Sequence, residues 1–95
     1  DAKLASDLYR AALGEYDKLV KQERSNLIPR KDMAIAYDRL GILLVSSDPA
    51  EAGKQFKECL ALAPDEAAID RQLPDPRDVK SDCQANVERI ASKDR

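Results

Sequence analysis

The residues of this chain that are best suited to chemistry are two cysteines and a large set of carboxylates. Cys59 and Cys83 are its two thiols, and its 18 Asp and Glu residues are accompanied by no histidine. The missing imidazole removes the commonest general base and the commonest zinc ligand, and it leaves a cysteine nucleophile without its usual partner. Two cysteines by themselves do not complete a zinc site. We therefore expect no catalytic residue, no metal site and no cofactor, and we predict that the protein is not an enzyme.

The other common binding motifs are also missing from the sequence. Gly14, Gly41 and Gly53 are isolated within helical patterns, so they do not form a phosphate-binding loop. The net charge is −2, and the 16 basic residues are spread along the chain rather than gathered on a nucleic-acid-binding face. No stretch approaches the roughly 18 apolar residues of a membrane span. These patterns predict no nucleic-acid partner and no membrane span, and they leave the oligomeric state open.

The two cysteines have two interpretations, a disulfide or a pair of buried reduced thiols. Each lies on the apolar side of a predicted helix, so packing these two sides together brings both sulfurs into one layer. A disulfide closing that loop would stabilise the fold by about 3 kcal/mol. It would favour a periplasmic or secreted location, whereas reduced thiols suit the cytoplasm. Because the sequence begins at Asp1, it is expected to be either a processed mature protein or an excised piece, and the location stays open.

The elements that must position these residues are predicted to be helices. Aromatic residues make up 4% of the chain, and no Asn-Gly or Asp-Gly hairpin signal is present. We predict one all-α domain over residues 1–95, built as an antiparallel helical hairpin stack or small bundle of four to five helices. An N-terminal helix covers residues 2–24, and a C-terminal helix over 75–92 begins at the Asp75-Pro76 capping signal. Asp65 caps a further short helix that ends before Leu73.

The first connection is predicted over residues 25–31, because Pro29 disfavours a helical residue before it. The helix that follows is apolar on nearly every side from Met33 to Val45, so it must be covered all round. Asp48 and Pro49 then form a cap and first turn for the next helix, which Pro64 ends. The apolar side of that helix consists of Ala52, Phe56, Cys59, Leu60 and Ala63, and that of the C-terminal helix consists of Val79, Cys83, Val87 and Ile90.

The hairpin over residues 32–64 resembles a tetratricopeptide repeat. The residues that carry the resemblance are Tyr37, Leu40, Gly41, Leu44, Ala52, Phe56 and Pro64, and the match spans about 33 residues against 34 in the family. The resemblance implies a right-handed stack of helical hairpins that binds a peptide or a helix of a partner protein on the concave surface lined by the first helix of each pair. The residues at those places are Ile35, Asp38, Ile42 and Val45, which we call the groove residues. Alternatively, the N-terminal helix covers Ile35, Ile42 and Val45, and they belong to the core.

The resemblance therefore favours a non-catalytic protein–protein interaction module, in the manner of an adaptor. Two other functions remain open. One is a small secreted or periplasmic chaperone or assembly factor that is held together by a Cys59–Cys83 disulfide. The other is a structural capping or oligomerisation piece of a longer repeat protein, because a solitary repeat cannot bury both of its faces.

Overall fold

The computed structural model describes residues 2–64 and 79–93, and these residues form four α-helices with no strand among them. The helices are α1 (Ala2–Gln22), α2 (Leu27–Leu44), α3 (Pro49–Leu62) and α4 (Val79–Lys93). The predicted all-α fold is confirmed. The short helix predicted after Pro64 and the start signal at Asp75-Pro76 lie outside the described residues.

The connection between α1 and α2 is shorter than the predicted connection over residues 25–31, and it begins earlier in the chain. Because α2 begins at Leu27, Ile28 and Pro29 belong to its first turn, and residues 23–26 make the connection. The Asn26 side chain caps this end by accepting a hydrogen bond from the Ile28 backbone N–H at 3.0 Å. A proline in the first turn removes an N–H that has no acceptor within the helix, so it does not interrupt the helix.

The turn between α2 and α3 is capped as the sequence predicts. Asp48 accepts a hydrogen bond from the Glu51 backbone N–H at 3.2 Å, and Pro49 is the first helical residue. The Glu51 carboxylate accepts a hydrogen bond from the Gln55 side chain at 2.9 Å rather than from the Asp48 backbone N–H. The Asp48 N–H donates instead to the Leu44 carbonyl at 2.8 Å, which ties the end of α2 to the start of α3.

Helix α2 is covered on two sides, which explains its continuous apolar composition. On one side α1 packs against it through a cluster whose buried members are Leu13, Met33, Ala36 and Leu40. On another side α3 and α4 contribute to a second cluster, made of Ala34, Cys59, Ala63, Val79 and Cys83. The sequence predicts that this helix is covered all round, but the structure leaves Ile42 55% exposed between the covered sides.

A close approach of α2 and α3 occurs at Gly41. A Cβ atom placed on Gly41 would lie 2.5 Å from Cε1 of Phe56, so the ring occupies the space that a larger residue would need. Phe56 is 1% exposed, and it joins Ala52 and Ile90 in a third cluster that connects α3 with α4. Gly41 therefore serves as a tight helix contact rather than as a turn residue.

Candidate functional site

The groove residues lie in different environments along α2. Ile42 is 55% exposed, whereas the other three are partly buried. Ile35 packs against the cluster that contains the two cysteines, and Val45 packs against the cluster that contains Phe56. Ile42 is thus the groove residue that presents the largest apolar surface to solvent.

The N-terminal helix is not the element that covers these residues. Helix α1 packs against Met33, Ala36 and Leu40, on a different face of α2. The neighbour on the groove side is α4, since Asp38 bonds to its Asn86 and Val45 packs in the cluster of Ile90. Ile35 and Val45 therefore pack against core clusters formed with α3 and α4, and the contacts of α1 lie on another face of α2.

A cavity of about 250 Å³ lies where the end of α2 meets α3 and α4. Its lining consists of Ile42, Val45, Ser46, Phe56, Asn86, Arg89 and Ile90. The inner wall is apolar, because Phe56 and Ile90 are buried, and the exposed Arg89 places a positive charge at the rim. This arrangement suits an apolar side chain that has a negative charge beside it.

Asp38 is held in place by a side chain of α4. The Asn86 amide donates a hydrogen bond to the Asp38 carboxylate at 2.6 Å, and Asn86 is only 7% exposed. Burial raises the pKa of Asp38 above its ordinary value, and Asp82 adds to this effect, while the Asn86 hydrogen bond, Arg39 and Arg89 oppose it. Asp38 consequently carries a charge that the fold disfavours relative to solvent.

Cys59 and Cys83 form a disulfide bond, and their Cα atoms are 5.8 Å apart. This separation is within the ordinary range for disulfides, and both residues are fully buried. The bond joins α3 to α4 at the layer where their apolar sides meet. The disulfide interpretation of the two cysteines is thereby confirmed. An Asp38 carboxylate oxygen and the two sulfurs all lie within 4.8 Å of one another.

A larger, more open depression of about 530 Å³ lies between α1, α2 and α3. Its lining consists of Arg10, Leu13, Tyr37, Glu51, Lys54, Gln55 and Glu58. Burial, with further contributions from Glu58 and Asp17, raises the pKa of Tyr37 above 10.0, so its phenol stays protonated at neutral pH. Acidic and basic side chains both surround this depression, and it therefore lacks the single sign of charge that would select an ionic ligand.

Two polar residues that position these elements were not singled out from the sequence. Asn86 lies three residues after Cys83, on the apolar side of α4, and a polar residue at such a place signals a buried partner. Arg30, near the start of α2, donates a hydrogen bond from Nε to the Leu62 carbonyl at 2.6 Å. This bond supplies a donor to a carbonyl at the end of α3 that has no partner within its own helix. No sequence signal identifies that bond, because its two residues lie on different helices.

The fold and the site define a small all-α protein with one disulfide and a cavity beside α2 that has an apolar inner wall and polar residues in its lining. Comparison with protein-family models, with curated proteins and with solved structures gives no match for this chain. Within residues 2–64 and 79–93, none of the helices has the length and apolar character needed to span a membrane.

Proposed function

We propose that this chain is a non-catalytic protein–protein interaction module that takes an apolar side chain of a partner peptide or helix into the cavity beside Ile42. The observation that carries the proposal is the cavity itself, which has buried apolar walls and an isoleucine 55% exposed at its edge. Catalysis forms no part of this proposal, because the chain has no histidine and its two cysteines are bonded to each other.

The size of the cavity favours a side chain over a small-molecule ligand. Its volume of about 250 Å³ is below the roughly 300–1,000 Å³ of typical small-molecule sites. Helix-in-groove recognition uses a few apolar anchors of this kind at helical spacing. A single anchor would be held between α2 and α4.

The charge at the rim favours an acidic partner. Arg89 lines the cavity, and Arg39 is an exposed residue near the neighbouring Asp38. An aspartate or glutamate beside the apolar anchor would meet these guanidinium groups, which suit carboxylates through their planar set of donors. The proposed ligand is therefore a peptide that combines a leucine or isoleucine with an adjacent acid.

The likeness of residues 32–64 to a tetratricopeptide repeat belongs to the same proposal. It is supported by the four-residue connection over 45–48 between α2 and α3, and by the contact of Gly41 with Phe56. Under this proposal α2 is the first helix of the tetratricopeptide-like hairpin and α3 is the second, and the groove residues of α2 contact the ligand.

The test is peptide binding measured by fluorescence anisotropy with a library that fixes Leu or Ile next to Asp or Glu. Ile42→Ser is expected to lower the affinity of the selected peptides at least tenfold, since the substituted side chain lines the cavity. Because Ile42 is largely exposed, the thermal midpoint should change little. Leu8→Ser is the matched control, since Leu8 is 63% exposed on α1.

Equal binding by Ile42→Ser and the unaltered protein would contradict the proposal. Equal binding of peptides in which the acid is replaced by lysine would contradict the acidic preference. A loss of many degrees of thermal stability in Ile42→Ser would show that the residue belongs to the core.

A second candidate function is a capping or oligomerisation unit, and the outer surface of α1 favours it. On this helix the large apolar residues Leu4, Leu8 and Leu19 are 60%, 63% and 40% exposed. Sedimentation at two concentrations tests this function. An association that disappears in Leu8→Glu would support it, and a monomer at both concentrations would contradict it.

The disulfide favours an oxidising compartment for this protein. Disulfides persist in secreted and periplasmic proteins and are rare in the cytosol. We therefore place the proposed module outside the cytoplasm, where a chaperone or assembly factor with a peptide-binding cavity would act.

A further inference from the structure

Three potential metal ligands from three helices meet beside the disulfide. Asp38 comes from α2, Cys59 from α3 and Cys83 from α4. One carboxylate oxygen and the two sulfurs lie within 4.8 Å of one another, and both cysteines are fully buried. No sequence pattern groups Asp38 with the cysteines, because the three residues are brought together by helix packing.

A metal ion needs its ligand atoms further apart than the two bonded sulfurs are. A tetrahedral zinc ion with bonds of about 2.3 Å to sulfur and about 2.1 Å to oxygen holds its ligand atoms roughly 3.6–3.8 Å apart. One Asp38 oxygen already lies within 4.8 Å of both sulfurs, and breaking the S–S bond frees the sulfurs to move apart to this spacing. Three protein ligands also leave a fourth position for water.

The carboxylate is oriented by a second residue. Asn86 donates a hydrogen bond to one oxygen of Asp38 at 2.6 Å and is itself buried. Metal-ligating carboxylates are commonly hydrogen-bonded in this way, since the outer partner fixes their orientation. The arrangement thus includes both the ligands and a partner that positions one of them.

We propose that reduction of the Cys59–Cys83 disulfide converts this cluster into a binding site for a thiophilic divalent cation such as Zn²⁺, with two thiolates and the Asp38 carboxylate as ligands. Soft thiolates select zinc over magnesium or calcium, and two thiolates with one carboxylate leave a net charge of −1 around the dication. Without the cation the same three ligands would carry a charge of −3, so the dication lowers the cost of burying them.

The oxidised and metal-bound states exclude each other, because a bonded sulfur pair supplies no thiolate. A dithiol reductant would give two electrons and two protons to the S–S bond, forming two thiols while it becomes a disulfide itself. The cation then displaces the two thiol protons to solvent. In both states a link joins α3 to α4, and the metal adds α2 to that link through Asp38.

The test is a titration of the full chain with Co²⁺ and then Zn²⁺ after reduction by a phosphine, which takes up an oxygen from water as it becomes phosphine oxide. The reduced protein is expected to bind one Co²⁺ with a thiolate charge-transfer band, which Zn²⁺ removes. The oxidised protein and Cys83→Ser should show no such band. Asp38→Asn should weaken the affinity about 10-fold or more, whereas Asp32→Asn, the same change on the same helix, should not.

Results that differ from these expectations would overturn the proposal. Absence of the charge-transfer band in the reduced protein would overturn it, and so would equal affinities in Asp38→Asn and the unaltered chain. Where the reduced chain loses its helical circular dichroism, added Zn²⁺ is expected to restore the signal in the unaltered chain but not in Cys83→Ser. A signal that stays low after zinc addition would also overturn the site.

Discussion

Gly41→Ala is the substitution that most directly tests the packing of α2 on α3. The added methyl group would lie 2.5, 2.7 and 2.9 Å from three carbons of the Phe56 ring, whereas carbon atoms pack best at about 3.5–4.0 Å. Phe56 is 1% exposed, so its ring must move within a packed interior. Overpacking of this kind costs about 1–3 kcal/mol.

The helical preference of alanine opposes that cost and must be separated from it. Replacing glycine by alanine within a helix stabilises it by about 1 kcal/mol. Gly14 provides the control, because it lies within α1 and a Cβ placed on it meets nothing within 4 Å. Gly14→Ala is therefore expected to stabilise the protein by about 1 kcal/mol. The difference between the two variants isolates the cost of the contact, about 1–3 kcal/mol.

The assay is urea unfolding of the oxidised protein followed by circular dichroism, together with thermal unfolding. For a domain of this size, 1 kcal/mol corresponds to a shift of about 4–8 °C in the thermal midpoint. We expect the thermal midpoint of Gly14→Ala to exceed that of Gly41→Ala by at least about 4–8 °C. If Gly41→Ala stabilises the protein as much as Gly14→Ala, the close contact with Phe56 is refuted.

Two further predictions concern the cluster around the disulfide. Because the pKa of Asp38 is raised in the folded state, its contribution to stability is present below the unfolded pKa of about 3.8 and is lost as the pH rises through the folded pKa. Asp38→Asn keeps an acceptor for Asn86 but carries no charge. Its stability in urea titrations should therefore rise relative to that of the unaltered protein as the pH rises through the folded pKa of Asp38. A stability difference that does not vary with pH would contradict the raised pKa. Replacing both Cys59 and Cys83 by serine opens a loop with a sequence separation of 24, and it should lower the free energy of unfolding by about 3 kcal/mol. Reduction of the unaltered protein should cause a similar loss, and an unchanged urea midpoint after complete reduction would contradict this estimate.

The local features of the helices follow from the sequence because they depend on residues close together in the chain. The Asp48 cap and the Pro49 first turn involve neighbours within one turn, so their residue types are sufficient to predict the start of α3. The buried positions of Cys59 and Cys83 likewise follow from helical spacing within α3 and α4. Pro29 misled the prediction of the first connection, since local rules tolerate proline in a first turn as well as before a helix.

The tertiary structure decided which surfaces meet. The apolar periodicity of α1 includes Leu8, yet the contact with α2 uses Leu13 and its neighbours and leaves Leu8 63% exposed. The groove side of α2 is flanked by α4 because Asn86 reaches Asp38 across 48 positions of sequence. A helical pattern specifies the face that a residue occupies, but it does not specify the partner helix or the crossing position. The cavity and the cluster beside the disulfide therefore required the relative placement of three helices, which no single segment of the sequence determines.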